Sequence, residues 1–595
     1  MMRRIVRRII SVRYNTAAST DRVVLRRVTS RRYYNAEKYA AARTDQFECP
    51  STRKRDVIIV GGGHNGLVAA AYLAKQGLDV LVLERRHIVG GAAVTEEIVP
   101  DFKFSRASYL AGLLRNSIIE DLDLEKKYDF EYIPRPFSSF TPTRLDGPHK
   151  GKSLIMGQDA DATWKSISQW SERDADAFVE YEQFLDEIRE IVEPLLEGPP
   201  PNPLGAENYR ERWNHFKNTS KLVRVGIKNR SSLVSLYELV TGSATQILDR
   251  WFESDVLKTT LACDAVIGAM VSPSQAGSAY VHLHHVMGEA AGRKGVWAYV
   301  KGGMGKISES IACAARDAGA EIACNARVDE ILVCDQKASG VRMGSTEIRS
   351  DVVISGAGLH HTMLELLSNE TLESDREISK FAKHVRHQDH ACGAFKINVA
   401  LNELPNFKCM PSSTVGPQHT GTIHFEESME EIEAAYREAI SGRPAKRPVI
   451  EMTIPSSLDN TLSPQGKHVA QLFVQYAPYD LKDMSWSDPE VKSNFVRNVF
   501  NVVNEHVSNF ESSIVGYDAL SPLDIEHIFG MHKGNIFHGS MTLSQLAYAR
   551  PMGGYSNYRT PISGLYMCSA STHPGGGVMG AAGRNCSDVI ISDIC

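Results

Sequence analysis

The chain has no C-x-x-C pair: its ten cysteines are scattered over 595 residues. A zinc knuckle and the redox pair of a disulfide reductase both need closely spaced thiols, so both are excluded, and Cys313, Cys324 and Cys334 stand too far apart to substitute. Reduced, mostly buried thiols are expected instead. Missing too is any run of about 18 or more consecutive apolar residues, so no membrane-spanning helix is expected. The least polar long stretch, Thr259 to Met287, is broken by Asp264, Pro273 and three histidines, which suits a buried helix pair. The motifs G-x-S-x-G and H-E-x-x-H and the EF-hand loop are absent, which removes the commonest hydrolase and calcium-site readings. "KGGMGKIS" falls short of a phosphate-binding P-loop, because it lacks the first glycine and Ile307 stands where Ser or Thr would meet Mg²⁺.

Acidic residues are almost missing from the first 35 positions, which hold ten arginines and only Asp21. Arg-rich, acid-poor and hydroxyl-containing is the profile of a mitochondrial transit peptide, and the apolar core of a secretory signal is lacking. Residues 1–45 are therefore read as transit peptide or disordered, with the mitochondrial matrix as destination. A basic tail binding anionic lipid or nucleic acid is the alternative. Without those 35 residues the formal charge falls from -5 by nine to -14, so no nucleic-acid partner is expected for the body. Contact with the inner membrane would be peripheral.

What is present is glycine in a pattern. "DVIIVGGGHNGLVAAAYLAK" joins a short β-branched strand to an Ala-rich helix through Gly61, Gly63 and Gly66, a G-x-G-x-x-G. The first glycine permits the turn, the second lets backbone approach a pyrophosphate, and the third lets helix pack on strand. Asp79 to Leu83 reads as the next strand, and Glu84 at its end suits a ribose 2′-hydroxyl. A second glycine pair, Gly90 and Gly91, follows where an NAD domain would run into a further βαβ unit. Near the C-terminus, Gly564 to Cys568 reads as a strand, Pro574 to Gly577 as a turn and Val578 to Ile591 as a helix. A helix N-terminus there suits the negative charge of a reduced flavin, so the cofactor expected is FAD.

The stretches "VGGGHNGLVAAAYLAKQGLDVLVLERRHIVGGAA", "YVKGGMGKISESIACAARDAGAEI" and "GLYMCSASTHPGGGVMGA" resemble the phytoene-desaturase-like branch of the FAD-dependent amine-oxidase and carotenoid-desaturase enzymes. The likeness spans almost everything after residue 55. It implies an α/β fold: a Rossmann-type FAD-binding domain of the glutathione-reductase-like kind, assembled from discontinuous segments, with an inserted α+β substrate domain. It further implies that Gly90 and Gly91 lie beside the pyrophosphate and ribityl chain, that the Val328 backbone touches adenine, and that Ser571, Val578 and Met579 lie along the flavin. Val60, His64, Asn65 and Arg85, which flank the glycines and Glu84, complete the expected cofactor-binding set. The family's desaturases act on apolar chains and its amine oxidases on C–N bonds, so the expected partner is a small, apolar substrate.

On this reading residues 55–150 form the first part of the cofactor domain, 151–295 a helical insertion, 296–360 the second part, 361–540 a substrate domain with an antiparallel sheet, and 541–595 the C-terminal part. In the insertion, Phe178, Tyr181, Leu185, Ile188 and Val192 recur at helical spacing behind Ser171 as cap. "AFKINVAL" and "HVAQLFVQY" read as strands.

His573, just before Pro574 in the turn expected to face the flavin, is the candidate catalytic residue for proton transfer or orientation; the alternative is a hydrogen bond that holds the turn. Arg106 and Tyr109 are expected to line the ring or pocket. His282, His284 and His285 pair two rings on one face of a strand, and His384, His387 and His390 share a face if helical. Neither group has the acidic or cysteine partners of a closed metal site, and no metal is expected. Covalent flavin attachment is not signalled, since Cys568 lies inside the expected strand. Two functions remain: an FAD-dependent oxidoreductase, or a flavin-binding protein with lapsed catalysis that regulates mitochondrial function through a protein partner. An NAD(P)H reductase ranks third, because "SGAGLHH" lacks the last glycine of a second fingerprint.

Overall fold

A computed structural model of the chain describes residues 52–200, 219–220 and 223–594. The expected transit segment and most of the "GPPPNPLG" run lie outside the described residues. The apolar run Arg55–Val60 forms a strand whose parallel neighbours are Val80–Leu83 on one side and Thr346–Ser355 on the other. Glu321–Ala323 adds in parallel beyond Val80–Leu83, and Leu565–Met567 beside Thr346–Ser355. Strands drawn from three distant stretches thus build one parallel sheet, covered on both faces as such sheets require. The other end of Thr346–Ser355 continues antiparallel with Lys337–Met343, which pairs Glu330–Cys334.

Small residues decide the packing on one face. The helix His64–Lys75 buries Ala69, Ala70, Ala71 and Ala74, so Gly305–Asp317 and Ala581–Ile594 can lie close against it. At the base of the sheet the buried Arg55 side chain reaches Asp79 at 3.1 Å and Glu321 at 2.5 Å, stapling three strands by charge.

The second sheet has seven strands in the order Ile514–Leu520, Phe395–Leu401, His468–Gln475, Val449–Thr453, Thr422–His424, Phe137–Pro142 and Ser153–Gly157. Two expectations are corrected here. Phe137–Pro142 comes from within 55–150, so that stretch is not cofactor domain throughout: its last strand already belongs to the second sheet. The sheet is also mixed, because Thr422–His424 runs parallel to Phe137–Pro142 while the other pairs are antiparallel. A strand contributed from before the helical insertion arrives by a long crossover, which permits the parallel direction.

The helical insertion forms around Glu172–Val192, capped by Ser171 accepting from the Asp174 amide at 3.1 Å. Phe178, Tyr181, Leu185 and Ile188 are buried as the spacing requires; Ile191 takes the last inward position that Val192 was expected to hold. Asp174 is itself buried and accepts from the amides of Glu253 and Ser254, which ties this helix to the start of Asp255–Cys263.

Candidate functional site

After Val60 the chain turns through Gly61, whose φ of +97° suits glycine, and enters the first helix. A Cβ on Gly66 would stand 2.4 Å from the Gly61 carbonyl oxygen, so this position accepts no side chain. At Gly63 a Cβ would meet nothing within 4 Å, which leaves an open backbone surface. Gly63 bridges to Gly90, and the Gly90 amide donates to the Gly62 carbonyl at 2.7 Å. The two glycine motifs therefore make one surface. Gly63 is also the N-cap of the helix and has no side chain to satisfy the first amides, which stay available to an anion. Beside them Asn65 is buried with Oδ1 unpartnered, and His64 is enclosed with Nε2 unpartnered. Burial pulls the His64 imidazole down to about 4, so it is neutral at physiological pH.

Glu84, 6% exposed, ends the second strand as expected. Its two oxygens accept from the Gly62 and Arg86 amides, each at 2.8 Å, which fixes the carboxylate and leaves lone pairs for ribose hydroxyls. Val328 is buried, and its backbone is taken by no other backbone group among the described residues. Ser571 accepts from the Leu359 amide at 3.0 Å. The open Gly63 face, the uncapped helix, the orphaned Asn65 oxygen and the fixed Glu84 all fit the adenosine and pyrophosphate parts of FAD.

From this surface a cavity of about 620 Å³ runs toward the second sheet. His64, Gly577 and Val578 line its cofactor end. Tyr109 and Phe473, stacked at 5.6 Å, belong to its walls. Across the sheet, Lys396, Phe473, Glu451 and His424 stand opposite one another in register and all line the cavity. Tyr109 donates to Glu451 Oε2 at 2.6 Å. Burial pushes the Glu451 carboxyl up to about 7, against the pull of the Tyr109 hydrogen bond and of Arg135 and Lys396, and pushes Asp264 up to about 8. His424 is pulled down to about 4 by the same desolvation. Sequence reasoning passed over Lys396, Glu451, His424 and Arg135. The signal was a lone ionisable residue inside an otherwise apolar strand, as in "AFKINVAL" and "VIEMT".

Several expected site residues stand elsewhere. The Arg85 side chain is exposed and donates to the His527 and Ile528 carbonyls, at the end of the helix Pro522–Phe529. Val578 and Met579 precede the last helix, which begins at Ala581: Gly580 has φ +71° and breaks the helical path. Val578 still faces the cavity, while the Met579 carbonyl accepts from the Arg115 amide at 3.1 Å. His573 is buried with Nε2 on the Leu195 carbonyl at 2.7 Å, and it does not line the cavity; this is the holding role, not the catalytic one. Arg106 is paired with Asp518 and Glu96, leaving Tyr109 alone of that pair at the cavity. Cys568 directly follows the strand Leu565–Met567 and is buried.

The histidine groups are also rearranged. His282, His284 and His285 lie on the helix Ser278–Val286, not on a strand, and line the cavity. His282 Nε2 meets the Tyr181 hydroxyl at 2.6 Å, and His285 Nδ1 the Val281 carbonyl at 2.9 Å. The helix Arg376–Arg386 stops before His387, so His384, His387 and His390 share no helical face. His384 instead bonds the Pro551 carbonyl at 3.0 Å, and His390 packs edge-on to His532.

Residues 59–116 match the family described as an NAD(P)-binding Rossmann-like domain. Over 549 residues the chain is 44% identical to pyridine nucleotide-disulfide oxidoreductase domain-containing protein 2 of Rattus norvegicus, covering 91% of this chain and 94% of that protein. It is 27% identical over 563 residues to a limonene dehydrogenase component of Castellaniella defragrans, covering 91% and 95%. Among solved structures, cyclohexylamine oxidase from Brevibacterium oxydans superposes with a TM-score of 0.54 at 14% identity, covering 91% and 99%; it has the same fold.

Proposed function

The chain belongs to the family of pyridine nucleotide-disulfide oxidoreductase domain-containing protein 2, and from that premise we propose that this oxidoreductase binds FAD and oxidises an apolar small molecule in the mitochondrial matrix. The observation that carries the reading is the cavity that joins the glycine surface, at His64, Gly577 and Val578, to a largely apolar interior. A pocket with apolar walls and a few convergent polar groups is the usual form of a small-molecule site. The similarity to the limonene dehydrogenase component, whose name states a hydrocarbon substrate, supports the apolar class.

Bound FAD supplies a hydride acceptor. The chain's own residues do the rest. Glu84 orients the ribose, the glycine surface admits the pyrophosphate, and the Tyr109–Phe473 stack presents a flat apolar wall to the substrate. The Tyr109 hydroxyl donates to Glu451 at 2.6 Å at the cavity wall. Disulfide chemistry is not part of the proposal: the eight described cysteines are unpaired, and burial keeps Cys263, Cys392, Cys568 and Cys586 as thiols. Nothing in the described residues favours the regulatory alternative.

Anaerobic mixing of the flavin-loaded protein with apolar alkenes, cyclic hydrocarbons and long-chain amines tests the activity. Bleaching of the oxidised-flavin absorption by an apolar compound is the expected result; bleaching by NADH alone would contradict it. For location, a fluorescent fusion carrying residues 1–45 should enter mitochondria, and a cytosolic fusion would contradict the matrix assignment.

A further inference from the structure

The register of the second sheet sets ionisable groups on a cavity wall where apolar side chains would be the low-cost choice. Lys396 and Glu451 flank Phe473 on neighbouring strands, and His424 follows Glu451. Adjacent strands lie about 4.8 Å apart, so this row spans roughly 15 Å of wall. Lys396 is 1% exposed, and its Nζ has no hydrogen-bond partner among the described residues; it stands over the Tyr109 ring, 4.3 Å from the ring centre. Arg135 is 4% exposed. Its guanidinium donates to the Trp297 carbonyl and to Thr422 Oγ1, each at 2.9 Å, and forms no ion pair with any described residue. A buried amine, which desolvation pulls well below the usual lysine range, and a buried guanidinium thus face one cavity without a described carboxylate within 4.0 Å of either. Both line the cavity that the Glu451 carboxyl also lines. That carboxyl is already engaged by Tyr109.

An ionisable group buried without a partner is driven toward its neutral form, and a ligand of opposite charge restores the charged one. We propose that this wall is a head-group subsite and that the substrate is an amphipathic acid: its carboxylate meets Lys396 and Arg135, and its apolar body runs toward Gly577 and Val578. The inference deepens the oxidoreductase reading and rests on it, because it takes the cavity as the substrate's. A pure hydrocarbon would leave the Lys396 amine unsatisfied. An amine would place a second cation in the cavity with the Arg135 guanidinium. A carboxylate can receive both donors, with Arg135 suited to a planar oxyanion.

The test compares decanoate, decan-1-ol and decylamine on the flavin-loaded protein, read by tryptophan fluorescence and by thermal melting. Trp164 and Trp297 line the cavity, so neither readout needs turnover. Decanoate is expected to bind at least about tenfold more tightly than the alcohol or the amine. Lys396→Met should erase that preference and melt at the same or a higher temperature, because it removes a buried amine that has no hydrogen-bond partner. Arg135→Met should weaken decanoate by at least about tenfold and leave decan-1-ol unchanged. Equal binding of acid and alcohol by the unmodified chain would overturn the subsite, as would tighter binding of the amine. An acid preference surviving in both variants would overturn the assignment of these residues. Should one variant fail to fold, the other and the three-ligand comparison on the unmodified chain decide. Flavin content is read on the same samples: a chain that takes up no flavin refutes the oxidoreductase reading, whereas a flavoprotein indifferent to the carboxylate refutes only the subsite.

Discussion

Gly66 has no room for even one methyl group, since a Cβ would lie 2.4 Å from the Gly61 carbonyl oxygen. Gly66→Ala is therefore expected to push the first helix off its strand, cost about 1–3 kcal/mol in urea unfolding and yield protein without flavin. Flavin retained at the unmodified level would contradict the role given to the glycine turn. Glu84→Ala should leave the fold standing and weaken FAD by at least about tenfold in equilibrium dialysis, because the ribose loses its acceptor. These positions were legible in the sequence because their constraint is local: a turn, a φ value, a strand end. Lys396, Glu451 and His424 were not, because their meeting depends on the register of strands that lie far apart in the chain. His573 illustrates the converse. Its turn was legible, but its ring is captured by the Leu195 carbonyl, 378 positions away, and no local pattern announces that.

At the scale of elements, the cofactor end depends on how the last helix crosses the first. A Cβ on Gly583 would lie 2.1 Å from the Asn65 carbonyl oxygen, so Ala581–Ile594 can approach only because that residue is glycine. Gly583→Val is expected to destabilise the chain by about 2–3 kcal/mol, seen as a lower urea midpoint, and to loosen flavin. An unchanged midpoint would contradict the close crossing. The strand–loop–helix order of both chain ends was legible from hydrophobic period and glycine punctuation. The start of the last helix was misjudged by three residues, since left-handed Gly580 holds the chain out of the helix until Ala581. "VHLHHV" alternates like a strand over its short length, but Ser278–Val286 is a helix whose histidines face other helices, the cavity and Phe537. Short apolar runs do not settle period by themselves. The parallel entry of Phe137–Pro142 into the second sheet escaped for a related reason, because strand order across an insertion leaves no local mark.

For the whole molecule, Arg86, Glu96, Arg106 and Asp518 form a chain of ion pairs from the cofactor domain to the edge strand of the second sheet. Buried titratable groups then set the pH range of stability. Desolvation pulls His64, His282, His285, His538 and His573 down to about 4 and His284 to about 3. Neutral when folded, these rings take up protons on unfolding below their ordinary value of about 6.5, so their contribution falls as pH drops from there toward 4. Each such proton is worth at most about 1.4 kcal/mol per pH unit. Glu451, raised to about 7, and Asp264 and Glu426, raised to about 8, act in the opposite sense: the unfolded carboxyls ionise first, and stability falls as pH rises through their folded values. Melting temperature should therefore peak near pH 6.5 to 7 (roughly where the two trends cross) and fall on both sides. A flat profile from pH 5 to 8, about the span of those shifts, would contradict the burial of these groups.

The most direct measurement is an absorption spectrum of the purified chain lacking residues 1–45, taken before and after heat release of any bound cofactor. The expected result is an oxidised-flavin spectrum, with the released species identified as FAD rather than FMN. A well-folded protein that shows no flavin, and takes up none when FAD is added, would contradict the central claim.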